Sequence, residues 1–184
     1  MIIPAIETDR LILREYTDHD IPVLVPLIGT REVAATTLRI AHPYTEQHAK
    51  DFIEKTRSDG EIRLAITLRK GGEMCGGVGL KLELAHLRAE LGYWIGVPYW
   101  GHGYATEAAR AMLRYGFENL HLNRIAATHF EGNLVSGKIL RKLGMWHEGC
   151  LRQHLCKWGK FIDVECYGIL QKEWRQLQKS QPPS

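Results

Sequence analysis

Residues 99–108 read Tyr-Trp-Gly-His-Gly-Tyr-Ala-Thr-Glu-Ala, two glycines one residue apart running into an Ala-rich segment. Glycines at 101 and 103 let the backbone turn with its N–H groups facing inward. A helix behind them adds unpaired N-terminal donors and the positive end of its dipole, which together suit a phosphate. No Gly-Lys-Ser/Thr follows, so the segment is not a nucleoside-triphosphate loop. Thr106 stands where a dinucleotide fingerprint has its third glycine. What remains is a main-chain cradle for a pyrophosphate, without a dedicated metal ligand.

The elements around the cradle follow from spacing. An extended segment over 89–97 leads into it. Ala105, Ala108, Ala109, Met112, Leu113 and Phe117 form the apolar stripe of a helix over 105–119 that faces a sheet. Strands are predicted at 11–13, 62–68, 74–84, 124–130, 145–156 and 161–170, with turns at Lys70-Gly71-Gly72-Glu73 and Lys157-Trp158-Gly159-Lys160. Helices are predicted from Asp18 or Asp20 to about 28, over 45–59, and over 134–143 with Asn133 as N-cap and Gly144 as stop. Residues 29–43 read as a connector, and 171–184 as a frayed helix with a polar tail over 172–184. Hairpins dominate and strands do not alternate strictly with helices, so an α+β fold with a mixed, mostly antiparallel sheet is favoured over a doubly wound one.

The chain is 184 residues, long enough for one domain that buries about 70% of its unfolded surface. Net charge is +3 from 24 basic and 21 acidic residues, which gives no case for direct binding of nucleic acid. No apolar run is long enough to span a membrane, and no signal peptide is indicated. Cys75, Cys150, Cys156 and Cys166 contain no Cys-x-x-Cys pair and read as reduced thiols of a cytoplasmic protein. The nine histidines lack metal-ligand spacing, so no metal is expected.

The cradle resembles the acyl-coenzyme A loop of the GNAT N-acetyltransferase superfamily, (Gln/Arg)-x-x-Gly-x-(Gly/Ala). Trp100 occupies the Gln/Arg position, Gly103 the central glycine and Ala105 the last. Asn133-Leu134-Val135-Ser136 with Leu143-Gly144-Met145, and the opening Glu7-Thr8-Asp9-Arg10-Leu11-Ile12-Leu13-Arg14, are similar to the ribosomal-protein N-alpha-acetyltransferase branch. The resemblance implies a twisted sheet of six or seven strands flanked by about four helices. It also implies that the strands on either side of the loop helix splay apart to admit acetyl-CoA.

The same resemblance implies the site residues. Main-chain groups of Trp94, Ile95 and Val97 meet the pantetheine arm. Trp100, Gly101, His102, Gly103, Tyr104, Ala105 and Thr106 hold the pyrophosphate, Asn133 meets the pantetheine, and Lys138 approaches the nucleotide phosphates. Glu90 stands where several members place their general base, and Ser136 is the candidate acid beside the sulfur. Two departures accompany these: Leu140 replaces the usual tyrosine, and Leu155 follows Gly149-Cys150-Leu151-Arg152-Gln153-His154 where some members have a glutamate. His154, Glu148 or a water stand as alternatives to Glu90.

The activity implied is acetyl transfer to a primary amine, a protein N-terminus or a small amine. An α-amine of pKa near 7.8 is about a tenth neutral at pH 7, whereas a lysine is neutral about once in a thousand or fewer molecules. A site without an assured strong base therefore suits an N-terminal amine better. Arg39, Tyr44 and Trp158 are expected to line the acceptor cleft, and Trp158 and Trp174 to mark a dimer edge. The competing reading is a non-catalytic acyl-CoA-binding sensor or partner-binding module that keeps the cradle and lacks a base.

Overall fold

A computed structural model describes residues 4–38, 40–58 and 61–180. Eight strands form one sheet: β1 (Ile6–Glu7), β2 (Leu11–Glu15), β3 (Ile62–Leu68), β4 (Met74–Glu83), β5 (Arg88–Ile95), β6 (Arg124–Phe130), β7 (Trp146–Lys157) and β8 (Lys160–Leu170). Their order is β1-β2-β3-β4-β5-β6-β8-β7. Every neighbouring pair is antiparallel except β5 and β6, which run parallel. A parallel pair needs a crossover, and α4 (Tyr104–Glu118) supplies it.

Helices α1 (Ile21–Ile28), α2 (Arg31–Ala35) and α3 (Glu46–Ser58) precede β3, and α5 (Leu134–Lys142) and α6 (Gln171–Ser180) follow β6 and β8. One face of the sheet packs on α4, α5 and α6 through Leu80, Leu91, Met112, Leu113, Ile125 and Trp174. The other face packs on α1 and α3 through Tyr16, Leu24, Ile53, Ala65 and Met74. Gly116 lets α4 lie close on the sheet, since a Cβ there would sit 2.7 Å from Ile125. Among the described residues no helix is long and apolar enough to cross a membrane.

The α+β class and mixed sheet stand as expected, while among the described residues the counts rise to eight strands and six α-helices. The additional elements are short or terminal. The two-residue β1 has no room for alternation, and α2 lies inside the stretch read as a connector, where Thr30 caps it by accepting the Val33 N–H at 3.4 Å. Trp174 corrects the dimer-edge expectation: it is 1% exposed and stacks on Phe117 at 5.9 Å, so the start of the expected tail is part of the core. Residues 181–184 of that tail lie outside the described residues.

The first strands are tied to the crossover helix by one carboxylate. Glu107, in the first turn of α4, accepts from the Thr8 hydroxyl at 2.7 Å, the Arg10 N–H at 2.9 Å and the Arg10 guanidinium at 2.7 Å. Burial alone would raise the Glu107 carboxyl. Its hydrogen bonds, from Thr8 and then from the Arg10 main chain and side chain, outweigh that and hold it below the usual carboxylate range. The stabilisation is therefore complete above the unfolded-state value near pH 4.3 and is lost as pH falls through the lower folded value. Glu107→Ala is expected to cost about 2 kcal/mol, roughly 5 °C in melting temperature at neutral pH. Thermal melts of Glu107→Gln and wild type should converge as pH falls from about 4.3 through the lower folded value. A gap unchanged at acid pH would show that the carboxylate is not what the contact depends on.

Candidate active site at the parting of two strands

The ladder between β5 and β6 holds for four residue pairs, Arg88↔Arg124 to Leu91↔Ala127, and then stops. Beyond it β5 stays with β4 as far as Ile95, and β6 stays with β8 as far as Phe130. The two strands follow different neighbours and diverge. The Gly96 N–H donates to the Cys75 carbonyl at 2.9 Å. In an antiparallel ladder this bond assigns even-numbered residues of β5 to β4 and turns odd-numbered Tyr93 and Ile95 toward β6. On β6, the Glu131 N–H bonded to the Asp163 carbonyl at 2.9 Å likewise turns Thr128 and Phe130 toward β5. Continuing the parallel register would have paired Tyr93 with Thr128 and Phe130. The N–H and C=O of Tyr93, the N–H of Ile95, the Thr128 carbonyl and the Phe130 N–H therefore border the opening as donors and acceptors released from the ladder. Buried main-chain groups of this kind need partners.

The cradle sits at the β5 end of this opening. Gly101 and Gly103 have φ of +80° and +81°, and Gly103 is the N-cap of α4. No side chain caps that helix, which leaves first-turn N–H groups of Tyr104, Ala105 and Thr106 available to an anion. Trp100 and His102, expected to bind cofactor, also have roles in the protein itself. The Trp100 indole N–H donates to the Ile95 carbonyl at 2.7 Å, and His102 bonds its own loop at the Trp100 carbonyl (2.9 Å) and stacks on Tyr104 at 5.4 Å. Arg10 donates to the His102 carbonyl at 3.0 Å and lies over the Tyr104 ring at 5.0 Å. Arg10 was not among the expected site residues, although it lies in the N-terminal segment that carried the family resemblance.

The β6 end is formed by the first turn of α5. Asn133 accepts the Ser136 N–H at 3.1 Å through Oδ1, leaving its amide N–H₂ for a ligand. Ser136 Oγ lies 2.7 Å from the Tyr93 hydroxyl, a bond that joins α5 to β5. Tyr93 is a second residue that sequence reasoning missed, because it reads as an apolar inward position of the strand. Burial pushes its pKa up to about 12, despite the Ser136 hydrogen bond. Lys138 is exposed on α5. A cavity of about 330 Å³ lies beside Asn133, bordered by Ala35, Thr36, Phe130 and Val135. A larger depression of about 460 Å³, lined by Asn123, Leu170 and Arg175, lies at the opposite end of β6.

Strand alternation puts Glu90 on the other face of the sheet from Tyr93. Glu90 is exposed and accepts from the Thr128 hydroxyl at 3.4 Å, across the last paired residues of the two strands. Glu148 is bound by both terminal nitrogens of Arg124, and the Arg124 hydrogen bond holds its carboxyl below the usual range, which makes it a poor base. His154 is exposed on β7. The Trp94 side chain faces α1 and α3 in the second core cluster, and its main chain pairs with Gly77 of β4, so the opening is bordered by its neighbours Tyr93 and Ile95 rather than by Trp94 itself. Gly77 accommodates that indole: a Cβ there would lie 2.1 Å from the Tyr16 hydroxyl and 2.4 Å from Trp94 Nε1.

On this same face the β7–β8 hairpin tip reaches the segment after α2. Lys157 donates to the Thr37 carbonyl, and the exposed Trp158 ring lies 6.3 Å from His42 and 5.9 Å from the Arg31 guanidinium. Tyr44 is half-buried, its hydroxyl donates to the His48 carbonyl at 3.3 Å, and burial pushes its pKa up to about 12. Arg39 lies outside the described residues. Among the described residues no three His, Cys, Asp or Glu side chains converge as metal ligands.

A family profile described as "Acetyltransferase (GNAT) domain" matches residues 10–146. The uncharacterized N-acetyltransferase YoaA of Bacillus subtilis is 34% identical over 175 residues, covering 91% of this chain and 97% of that protein. A GNAT-family acetyltransferase structure from Bacillus anthracis superposes with a TM-score of 0.83 at 25% identity, covering 91% of this chain and 99% of the other. Two more distant structures are similar in fold. RimL, a ribosomal L7/L12 alpha-N-protein acetyltransferase in complex with coenzyme A, has TM-score 0.81, 18% identity and coverages of 90% and 97%. The Vibrio cholerae spermidine N-acetyltransferase with CoA and spermine has TM-score 0.80, 23% identity and coverages of 91% and 99%. The chain belongs to the GNAT acetyltransferase family.

Proposed function

We propose that this enzyme transfers the acetyl group of acetyl-CoA to a primary amine, with a protein N-terminal amine as the acceptor class its site suits best. The observation that carries the reading is the opening between β5 and β6, bordered by released main-chain groups and by the first turns of α4 and α5. The pantetheine arm has two amides and completes the interrupted ladder from Tyr93 and Ile95 on one side and Thr128 and Phe130 on the other. The pyrophosphate then meets Gly101, Gly103 and the N–H groups of Tyr104, Ala105 and Thr106, while Lys138 lies one turn into α5 from Asn133.

The chemistry divides between the two faces of the sheet. A neutral amine attacks the thioester carbonyl, whose developing oxyanion is met by a strand N–H at Tyr93 or Ile95. Glu90, across the sheet from Tyr93, takes the proton released as the C–N bond forms, directly or through a water. Ser136 lies on the sulfur side. The acceptor enters between α1, α3 and the β7–β8 hairpin, past Tyr44 and Trp158. One exposed carboxylate is a modest base, and it serves an α-amine more readily than a lysine side chain. RimL, similar in fold, acts on a protein N-terminus, and the spermidine enzyme shows that the same architecture also takes a polyamine.

Three outcomes check the reading. In a thiol-release assay with acetyl-CoA, peptides with free N-termini should turn over faster than spermidine or an N-terminally blocked lysine peptide; the reverse order would reassign the acceptor. Gly103→Val imposes a positive φ on a branched residue and should weaken acetyl-CoA binding about tenfold or more, with circular dichroism unchanged. Unaltered affinity would remove the cradle. Glu90→Gln should lower kcat/KM about a hundredfold at neutral pH and less above about pH 9, where free amine is abundant. A profile parallel to wild type at every pH would remove Glu90 as base.

A further inference from the structure

Two hydroxyls 2.7 Å apart share one hydrogen bond, so one of the two protons stays free for a third atom. A phenol is a much stronger hydrogen-bond donor than an aliphatic alcohol. The pair therefore orders with Tyr93 donating to Ser136 Oγ, and the Ser136 proton left over. The Ser136 main chain is already held by Asn133 Oδ1 at 3.1 Å, so the side chain starts from a fixed first turn. Tyr93 stands at the first β6-facing position of β5 beyond the ladder, with its main-chain groups and its hydroxyl both at the opening.

We propose that Tyr93 is a positioning residue for the leaving group: it orients and polarises the Ser136 hydroxyl, which donates a hydrogen bond to the coenzyme A sulfur as the thioester breaks. The inference rests on the reading that coenzyme A occupies the opening. In the step, the C–S bond breaks and its electron pair stays on sulfur. The thiolate is held by the Ser136 O–H, and the amine proton leaves through Glu90 or water. Ser136 keeps its own proton, because an alcohol is far too weak an acid to protonate a thiolate. A hydroxyl whose oxygen already accepts a hydrogen bond is a better donor, which is what the phenol contributes. The pair thereby fills the place of the tyrosine that Leu140 replaces, with the phenol reaching from the strand and the alcohol making the contact. Leu140 itself is buried in the core.

The direct readout is the thiol titration of bound coenzyme A, followed by thiolate ultraviolet absorbance on the intact protein. It needs no acceptor. A hydrogen bond to the thiolate favours that form, so the bound thiol should titrate about one unit below free coenzyme A in wild type. Ser136→Ala and Tyr93→Phe should each return the value most of the way, and the double variant should go no further. Ser136→Thr, which keeps a hydroxyl, should retain the lowered value. Glu90, Glu107, His129, Lys138, Arg141 and Tyr167, further titratable groups on the elements around the opening, are unchanged in all four variants.

If Ser136→Ala shifts the titration and Tyr93→Phe does not, the Tyr93 role is overturned while the Ser136 reading survives. If neither shifts it, both roles fall and coenzyme A binding itself stands. Additive shifts in the double variant would mean two independent contacts and would overturn the coupling. Absence of coenzyme A binding to wild type would remove the underlying functional reading together with this one.

Discussion

The interruption of one β-ladder governs this molecule. β5 is committed to β4 and β6 to β8, so the two strands that run parallel at Leu91 and Ala127 cannot stay together. A sheet does not ordinarily leave N–H and C=O groups without partners, because each buried and unpaired group costs about 1–3 kcal/mol. Here the cost falls at one place, and the proposed function meets it with the two amides of the pantetheine arm. Tyr93 and Ile95 present their main chain from one side, and Thr128 and Phe130 from the other. Recognition of the pantetheine arm, as the proposed function has it, then needs few side chains, because the β5 wall is the main chain of Tyr93 and Ile95.

An opening in a sheet is useful only if its edges keep their positions. Two fastenings do this. The Trp100 indole N–H takes the last carbonyl of β5 and folds the loop back on the strand end. Arg10, nearly a hundred residues earlier, bonds both the His102 carbonyl and Glu107, and so ties the β1–β2 turn to the loop and to the first turn of α4. The carboxylate of Glu107 sits where a helix dipole favours it and takes three hydrogen bonds besides. The main-chain donors of α4 are thereby held still before any phosphate arrives, which lowers the entropic cost of binding it.

Local signals made much of this legible. Two glycines before an apolar helical stripe announced the cradle, and both have the positive φ that only glycine adopts freely. Asn133 read as an N-cap and serves as one. Hairpin turns and β-rich runs located nearly every strand. The remainder depends on what touches what across the fold. Tyr93 is an inward strand aromatic by its alternation, and nothing near it in sequence announces Ser136. Arg10 belongs to the first strands, and only the closed sheet brings it to His102. Trp174 sits in a polar segment whose neighbours conceal that it stacks on Phe117. The five residues of α2 are too few for periodicity to show.

The two faces of the opening differ in chemical character. Tyr93, Ser136 and the helix N-termini lie toward α4 and α5, where the proposed function puts the pyrophosphate and the leaving sulfur. Glu90 lies on the opposite face, where the proposed function has the amine arrive and lose a proton. The central claim is that the groups released between β5 and β6 are completed by the acyl-CoA arm. Residue-resolved amide hydrogen exchange, with and without acetyl-CoA, measures this at the atoms concerned. The account predicts that exchange at Tyr93, Ile95 and Phe130 slows by about tenfold or more on binding, beyond any change at the distant N–H of Asn123. Binding that leaves those three amides unchanged would contradict it.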